Sequence, residues 1–162
     1  MRYALFIILI SFSTQSAELQ TLSKRENAML EVIAYAEGTG KEYNIIYGYK
    51  RFDSYSSHPR RTVCSNGYCS TAAGRYQFIA STWDYICRIL KLEDFSPKNQ
   101  DIAALFLVYS KGVEVDRINN YELFKQAIYK LNMVWASFPL SPYKQPTRKM
   151  KDLYKIWRKY ER

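Results

Sequence analysis

The sequence predicts an α+β fold, mostly helical, with a small antiparallel β-hairpin lobe set between the first helix and the rest. Three observations carry this reading. A capped helical pattern over residues 23–38 ends in Glu37-Gly38. Residues 41–70 then lose the 3.6-residue period and become rich in Tyr, Ile, Phe, Ser, Thr and Gly around an Asn-Gly dipeptide. Helical spacing resumes after Gly74 and continues toward the end of the chain.

The chain opens with Met1-Arg2, an apolar run from Tyr3 to Ile10, and the small or polar stretch Ser11 to Ala17. A positive start, a short apolar core and a small-residue exit predict a secretory signal peptide over residues 1–17. The run falls short of the about 20 residues that span a bilayer, so membrane contact is expected only through this segment if it stays uncleaved. Residues 18–162 are then a single domain, long enough to bury roughly 68–70% of the unfolded chain's surface. The product is expected to be exported, periplasmic or extracellular, and monomeric.

Ser23 and Glu26 form a capping box that opens the first helix. Leu30, Ile33, Ala34 and Glu37 follow at i, i+3, i+4 and i+7, and Gly38 stops the helix as a left-handed cap. Glu37 therefore continues an apolar stripe. Such an acid is either partly desolvated, which favours its neutral, proton-donating form, or reaches water from the helix end.

In the lobe that follows, Asn66-Gly67 lies centrally between Cys64 and Cys69. Both turn residues tolerate positive φ, so the two cysteines face each other across a hairpin. In an oxidising compartment they form a disulfide. The spacing also suits half of a metal site, but no second ligand cluster exists, so no metal cofactor is expected. Cys87 is left as a buried free thiol.

Beyond Gly74, Ser81 with Asp84 is expected to cap a helix whose apolar stripe is Trp83, Ile86, Cys87 and Leu90. Ser96-Pro97 starts the next, with Ile102, Leu105, Phe106 and Tyr109 inward and a stop at Gly112. Asn120 caps a helix that buries Leu123, Phe124, Ala127, Ile128 and Leu131, and Met133–Pro139 starts a further helix or turn. Thr147 begins a basic final helix with Met150, Leu153, Tyr154 and Trp157 on one face.

The formal charge of +9, of which residues 1–17 supply only Arg2, calls for an anionic partner. Export argues against nucleic acid and leaves a membrane surface or an acidic cell-wall polymer. Fifteen tyrosines suit stacking on sugar rings as well as packing. There is no Gly-rich phosphate loop and no Gly-x-Ser-x-Gly, and the single histidine, His58, has no strained nucleophile beside it. A glutamic acid at the seam between a helix and a hairpin lobe, where clefts form, is the candidate proton donor.

Five stretches in order carry a resemblance: Ala34–Thr39, Tyr55–Arg60, Ser70–Gln77, Asp94–Asp101 and Trp135–Pro139. With them the chain resembles the bacteriophage lambda endolysin-type lytic transglycosylases over about residues 26–160. The resemblance implies a lysozyme-like fold and cleavage of peptidoglycan glycan strands between N-acetylmuramic acid and N-acetylglucosamine. It implies Glu37 as the single catalytic carboxylate, acting first as acid and then as base. It further implies Tyr55, His58, Tyr76, Gln77, Trp135 and Ser137 as substrate-binding residues. Two features depart from the pattern: Ser54 stands where the family commonly has Asp before the matching Tyr, and the Cys64–Cys69 hairpin and the exported N-terminus are added. The competing readings are a hydrolytic muramidase with Asp53 or Glu42 as second carboxylate, and a non-catalytic basic cell-wall-binding protein.

Overall fold

The computed structural model describes residues 21–65 and 67–162. The predicted signal peptide and Asn66 of the hairpin turn lie outside the described residues. The helices are α1 (Lys24–Glu37), α2 (Ala80–Leu90), α3 (Pro97–Ser110), α4 (Tyr121–Leu131) and α5 (Met150–Tyr160), with a 3₁₀ turn at Val115–Arg117. Between α1 and α2 stand two antiparallel hairpins, β1 (Ile45–Ile46) with β2 (Lys50–Arg51), and β3 (Val63–Ser65) with β4 (Tyr68–Ser70). The architecture is α+β and mostly helical. No helix among the described residues is long and apolar enough to cross a membrane.

α1 is the axis of the molecule. Its N-terminus carries the capping box, Ser23 Oγ accepting from the Glu26 N–H at 3.1 Å while the Glu26 carboxylate accepts from the Ser23 N–H at 2.8 Å. Its burial goes well beyond the predicted stripe: Ala28, Met29, Leu30, Val32, Ile33, Ala34 and Ala36 are all buried. α5, α3 and the 3₁₀ turn pack around it, which leaves no wide solvent face to reveal a helical period. α5 covers it with Leu153 and Trp157. Met150 and Tyr154 are half-buried beside them, and the helix starts at Met150 rather than at Thr147.

Four other expectations are corrected. α2 has no side-chain cap of its own. Its N-cap is Ile79, Ser81 lies inside the first turn, and the Ala80 N–H is taken by Thr71 Oγ1 at 3.0 Å. α3 turns Gln100, Ala103, Ala104, Leu105, Leu107 and Val108 inward, whereas Ile102 and Tyr109 are exposed. A helix apolar on nearly every side offers several stripes, and the neighbours choose among them. Cys87 is a free thiol but only half-buried. Leu123, expected inward, is exposed at the start of α4, and of the two forms expected for Met133–Pro139, helix or turn, the chain takes turns.

Cys64 and Cys69 are directly opposed in the β3–β4 register and joined by a disulfide. The first hairpin is extended by bridges from Ile46 to Ala73 and from Ala73 to Phe78, so residues 73–78 form a tight turn on the sheet edge. That turn needs glycine at its corner. Gly74 has φ +80°, and a Cβ there would lie 2.3 Å from Gln100 Oε1 and 2.8 Å from the Phe95 ring. We expect Gly74→Ala to lower unfolding free energy by about 2–4 kcal/mol in urea denaturation, through combined left-handed strain and overpacking.

Candidate active site

Glu37 is the last residue of α1, and the chain leaves the helix there in a fixed way. Gly38 adopts φ +73°, Thr39 N–H donates to Ala34 O at 3.1 Å, and the buried Thr39 hydroxyl donates to Arg75 O at 2.6 Å. The carboxyl itself makes one hydrogen bond: Ser137 Oγ donates to Glu37 Oε1 at 2.5 Å. Glu37 keeps partial access to solvent, yet protein surrounds it closely. Burial pushes its pKa from 4.5 up to about 7, with the Ser137 hydrogen bond and the Arg148 charge pulling back. The desolvated reading of this acid is the one the geometry supports.

Three adjoining hollows make a groove past this carboxyl. One of 560 Å³ is lined by Glu37, Tyr47, Tyr49, Gln77, Ser137 and Arg148, among others. A second, of 200 Å³, shares Glu37, Tyr47 and Gln77 and is walled by Tyr68, Cys69 and Ser70 of the disulfide hairpin. A third, of 520 Å³, continues over Ile79, Tyr85, Met133, Val134 and Tyr143 and carries Lys111. Gln77 and Gln145 line all three. Among the described residues, Glu37 is the sole carboxylic acid lining them. Asp53 is exposed and lines none, and exposed Glu42 is paired with Arg51 at 2.7 Å. No group of three or more His, Cys, Asp and Glu among the described residues is arranged to hold a metal.

The six residues expected to bind substrate divide. Gln77 and Ser137 stand at the groove beside Glu37. Gln77 adopts φ +50° and its amide donates to Gly74 O at 2.8 Å, which fixes its side chain on the groove wall. Trp135 is buried, its indole N–H donating to Tyr76 O at 3.0 Å, so it supports the floor. Tyr76 and His58 have buried side chains engaged within the fold, Tyr76 bordering the third hollow. The Tyr76 ring is fully buried, with its hydroxyl donating to Asp101 Oδ1 at 2.6 Å. His58 is 2% exposed, and its Nε2 donates to Phe78 O at 2.8 Å while Nδ1 accepts from the Arg60 N–H. Burial holds its pKa below the usual imidazole range, consistent with a neutral structural ring. Tyr55 packs edge-on against Phe52 and lines none of the three hollows.

What Tyr76 and its neighbours do is hold the turn that presents Gln77. Arg75, 5% exposed, pairs with Glu31 of α1 at 2.7 Å and donates to Gly40 O at 2.9 Å. It also donates to the Tyr43 and Tyr76 hydroxyls, each at 3.2 Å, and both phenols reach Asp101 of α3. Gln100 fastens the backbone by accepting from the Arg75 N–H at 2.8 Å. Among the described residues no buried side-chain nitrogen or oxygen lacks a partner. Sequence reasoning missed Arg148, Gln145 and Tyr49, for which no local pattern gives a signal.

A sequence model of the family described as Endolysin matches residues 27–161. The endolysin of Escherichia phage lambda is 36% identical over 141 residues, covering 82% of this chain and 88% of its own length. The endolysin of Escherichia phage P2 is 31% identical over 149 residues, covering 81% and 89%. Among solved structures, bacteriophage lambda lysozyme complexed with a chitohexasaccharide is similar with a TM-score of 0.79 at 34% identity, covering 86% of this chain and 96% of that one.

The elevated Glu37 pKa has a consequence for stability. The folded protein holds this proton more tightly than the unfolded chain, so stability falls as pH rises from 4.5 to about 7. Glu37→Gln lacks this loss. Its unfolding free energy relative to the parent should therefore rise by up to about 3 kcal/mol between about pH 4.5 and about pH 8 in urea titrations. A difference independent of pH would mean that Glu37 titrates as an ordinary exposed acid.

Proposed function

The chain belongs to the endolysin family and has the lambda-lysozyme fold, and from that premise we propose that it is a peptidoglycan lytic transglycosylase. It cleaves the β-1,4 bond between N-acetylmuramic acid and N-acetylglucosamine with Glu37 as its sole acid and base. Its place of action is the cell wall. The positive charge and the leader predicted over residues 1–17 are in keeping with export to that compartment. The solved lysozyme bound to a chitohexasaccharide supports a β-linked hexosamine strand as the occupant of the groove.

The observation that carries the mechanism is the solitary carboxyl. A hydrolase of the two-carboxylate kind needs a second acid about 5–5.5 Å away as nucleophile, or about 6.5–9.5 Å away to activate water. None among the described residues lines the hollows around Glu37. With one acid the proton is returned by the substrate itself. Protonated Glu37 donates to the glycosidic oxygen, and the bond from that oxygen to C1 breaks. The leaving sugar departs as an alcohol and the muramyl ring becomes oxocarbenium-like. The Glu37 carboxylate then takes the proton of the ring's own C6 hydroxyl, whose oxygen closes onto C1. A 1,6-anhydro ring results, Glu37 is protonated again, and no water is consumed. A pKa of about 7 suits a group that must give and regain a proton near neutrality.

Mass spectrometry of the fragments released from purified peptidoglycan tests this reading. We expect anhydro-muropeptides, one water lighter than hydrolytic products, and at least about a thousandfold less release with Glu37→Gln. Reducing-end products would overturn the transglycosylase reading in favour of a muramidase and put Asp53 next in line. Binding by both proteins with release by neither would favour a cell-wall-binding module.

A further inference from the structure

Arg148 is exposed and lies in the turn-rich segment just before α5, yet it is held at three points around the end of α1. Its Nε donates to Ala36 O at 3.0 Å, its backbone N–H donates to Ser137 O at 2.8 Å, and its guanidinium lies over the Tyr35 ring at 5.5 Å. Ser137 in turn donates to the Glu37 carboxyl. The bonds close a circuit: Ala36 to Glu37 along the chain, Glu37 to Ser137, Ser137 to Arg148, and Arg148 back to Ala36. We propose that Arg148 is a positioning residue for Glu37, fixing the carboxyl between its turns as acid and as base and stabilising it as a carboxylate in between. The proposal rests on the glycosidase reading above.

The physical grounds are independent of that reading. The last four carbonyls of a helix have no partner within it, and a cation near them is favourable. α1 has no basic residue in its last turn. Arg148 supplies that charge from 112 positions away, at Ala36, one residue from Glu37. Gly38 leaves room for it, since a Cβ there would lie 3.2 Å from Arg148 Nη2 and 3.1 Å from the Tyr49 hydroxyl. The titratable and charged groups that line the hollows with Glu37 are Arg148 from the segment before α5, Tyr47 and Tyr49 from the first hairpin, and Tyr68 from the second. Among the described residues, Arg148 is the one cation of this set. On α1 itself, Glu31 is engaged by Arg75. Arg148 thus reaches Glu37 as charge across the groove, and as geometry through Ser137 and Ala36.

Carboxyl NMR titration of Glu37 combined with pH–rate profiles on purified peptidoglycan decides the matter, using the parent, Arg148→Met and Arg148→Lys. In Arg148→Met, Glu37 should titrate at higher pH than in the parent. The alkaline limb of kcat/KM should move the same way, and kcat should fall about tenfold with little change in KM. Arg148→Lys keeps the charge and should return the titration and the limb toward the parent, recovering only part of kcat because an ammonium cannot copy the guanidinium's hold on Ala36. A Glu37 titration unmoved in Arg148→Met would overturn the proposal. So would a rise in KM alone, which marks a substrate contact. A parent that releases no glycan fragments would sink the glycosidase reading, while the NMR titration would still decide the role of Arg148.

Discussion

The buried guanidinium of Arg75 is the constraint on which the rest of the structure depends. A cation taken out of water must be met on nearly all its donors, because an unmatched buried charge costs several kcal/mol. Here the partners come from four places in the chain: Glu31 of α1, the Gly40 carbonyl, the Tyr43 phenol and the neighbouring Tyr76 phenol. Asp101 of α3 binds both phenols and so ties a further element to the cluster. Each bond fixes the register of one element against the others, and a shift of any one would leave a charge or hydroxyl unpaired. The groove inherits this rigidity. Thr39, two residues past Glu37, is bonded to Arg75 O, and Trp135, two residues before Ser137, is bonded to Tyr76 O. The two sides of the Glu37–Ser137 contact are therefore fastened to the same turn.

The two acids of α1 show how the fold assigns different work to like residues. Glu31 meets the Arg75 guanidinium directly at 2.7 Å, at a site with little water. The pair ties α1 to the turn that presents Gln77. Glu37, six positions on, meets a neutral hydroxyl, and Arg148 acts on it without a direct ion pair. A contact like that of Glu31 would hold Glu37 as a carboxylate and remove its ability to donate. Burial with no cation at all would keep it protonated and remove its ability to accept. The observed balance lies between these limits. Burial raises the Glu37 pKa most, and the Ser137 hydrogen bond and then the Arg148 charge draw it back.

Legibility in the sequence followed the range of the interaction. The capping box at Ser23, the Ser96-Pro97 start, the Asn120 cap, the Gly38 stop and the Cys64–Cys69 pairing are all closed within about five residues, and each stands where the pattern places it. Failures begin where a partner is remote. The α2 N-terminus is satisfied by Thr71, nine residues back, so Ser81 and Asp84 were a plausible cap for a helix that does not use one. The inward face of α3 is chosen by α1 and by the Arg75 turn, which draws Gln100 and Asp101 inward against the apolar pattern. Motif matching had a different blind spot. His58 and Tyr76 lie in stretches that carry the family resemblance, but a matched residue can serve the scaffold as readily as the substrate, and both side chains here bond within the fold. Glu37 was legible because helix period, stop signal and resemblance coincide on it. Arg148 had no such coincidence.

The placement of the acid at the C-terminal end of a helix also has an electrostatic logic. The field there disfavours negative charge, and helices usually carry basic residues in the last turn for that reason. α1 carries none, and an acid occupies the position instead. Local propensity opposes the carboxylate, desolvation opposes it again, and both effects favour a protonated donor. A group biased only that way would make a poor base in the second half of a two-step proton relay. A Lys or Arg one turn back in the helix would take the place of Ile33 or Ala34, both buried in the core, so the compensating charge comes from outside the helix. Carried on a separate segment and bonded to the Ala36 carbonyl, the Arg148 guanidinium offsets the helix-end field while its reach to the carboxyl stays fixed by the fold. On the transglycosylase reading proposed above, in which one carboxyl acts twice, this separation in sequence between Glu37 and its balancing cation suits both steps.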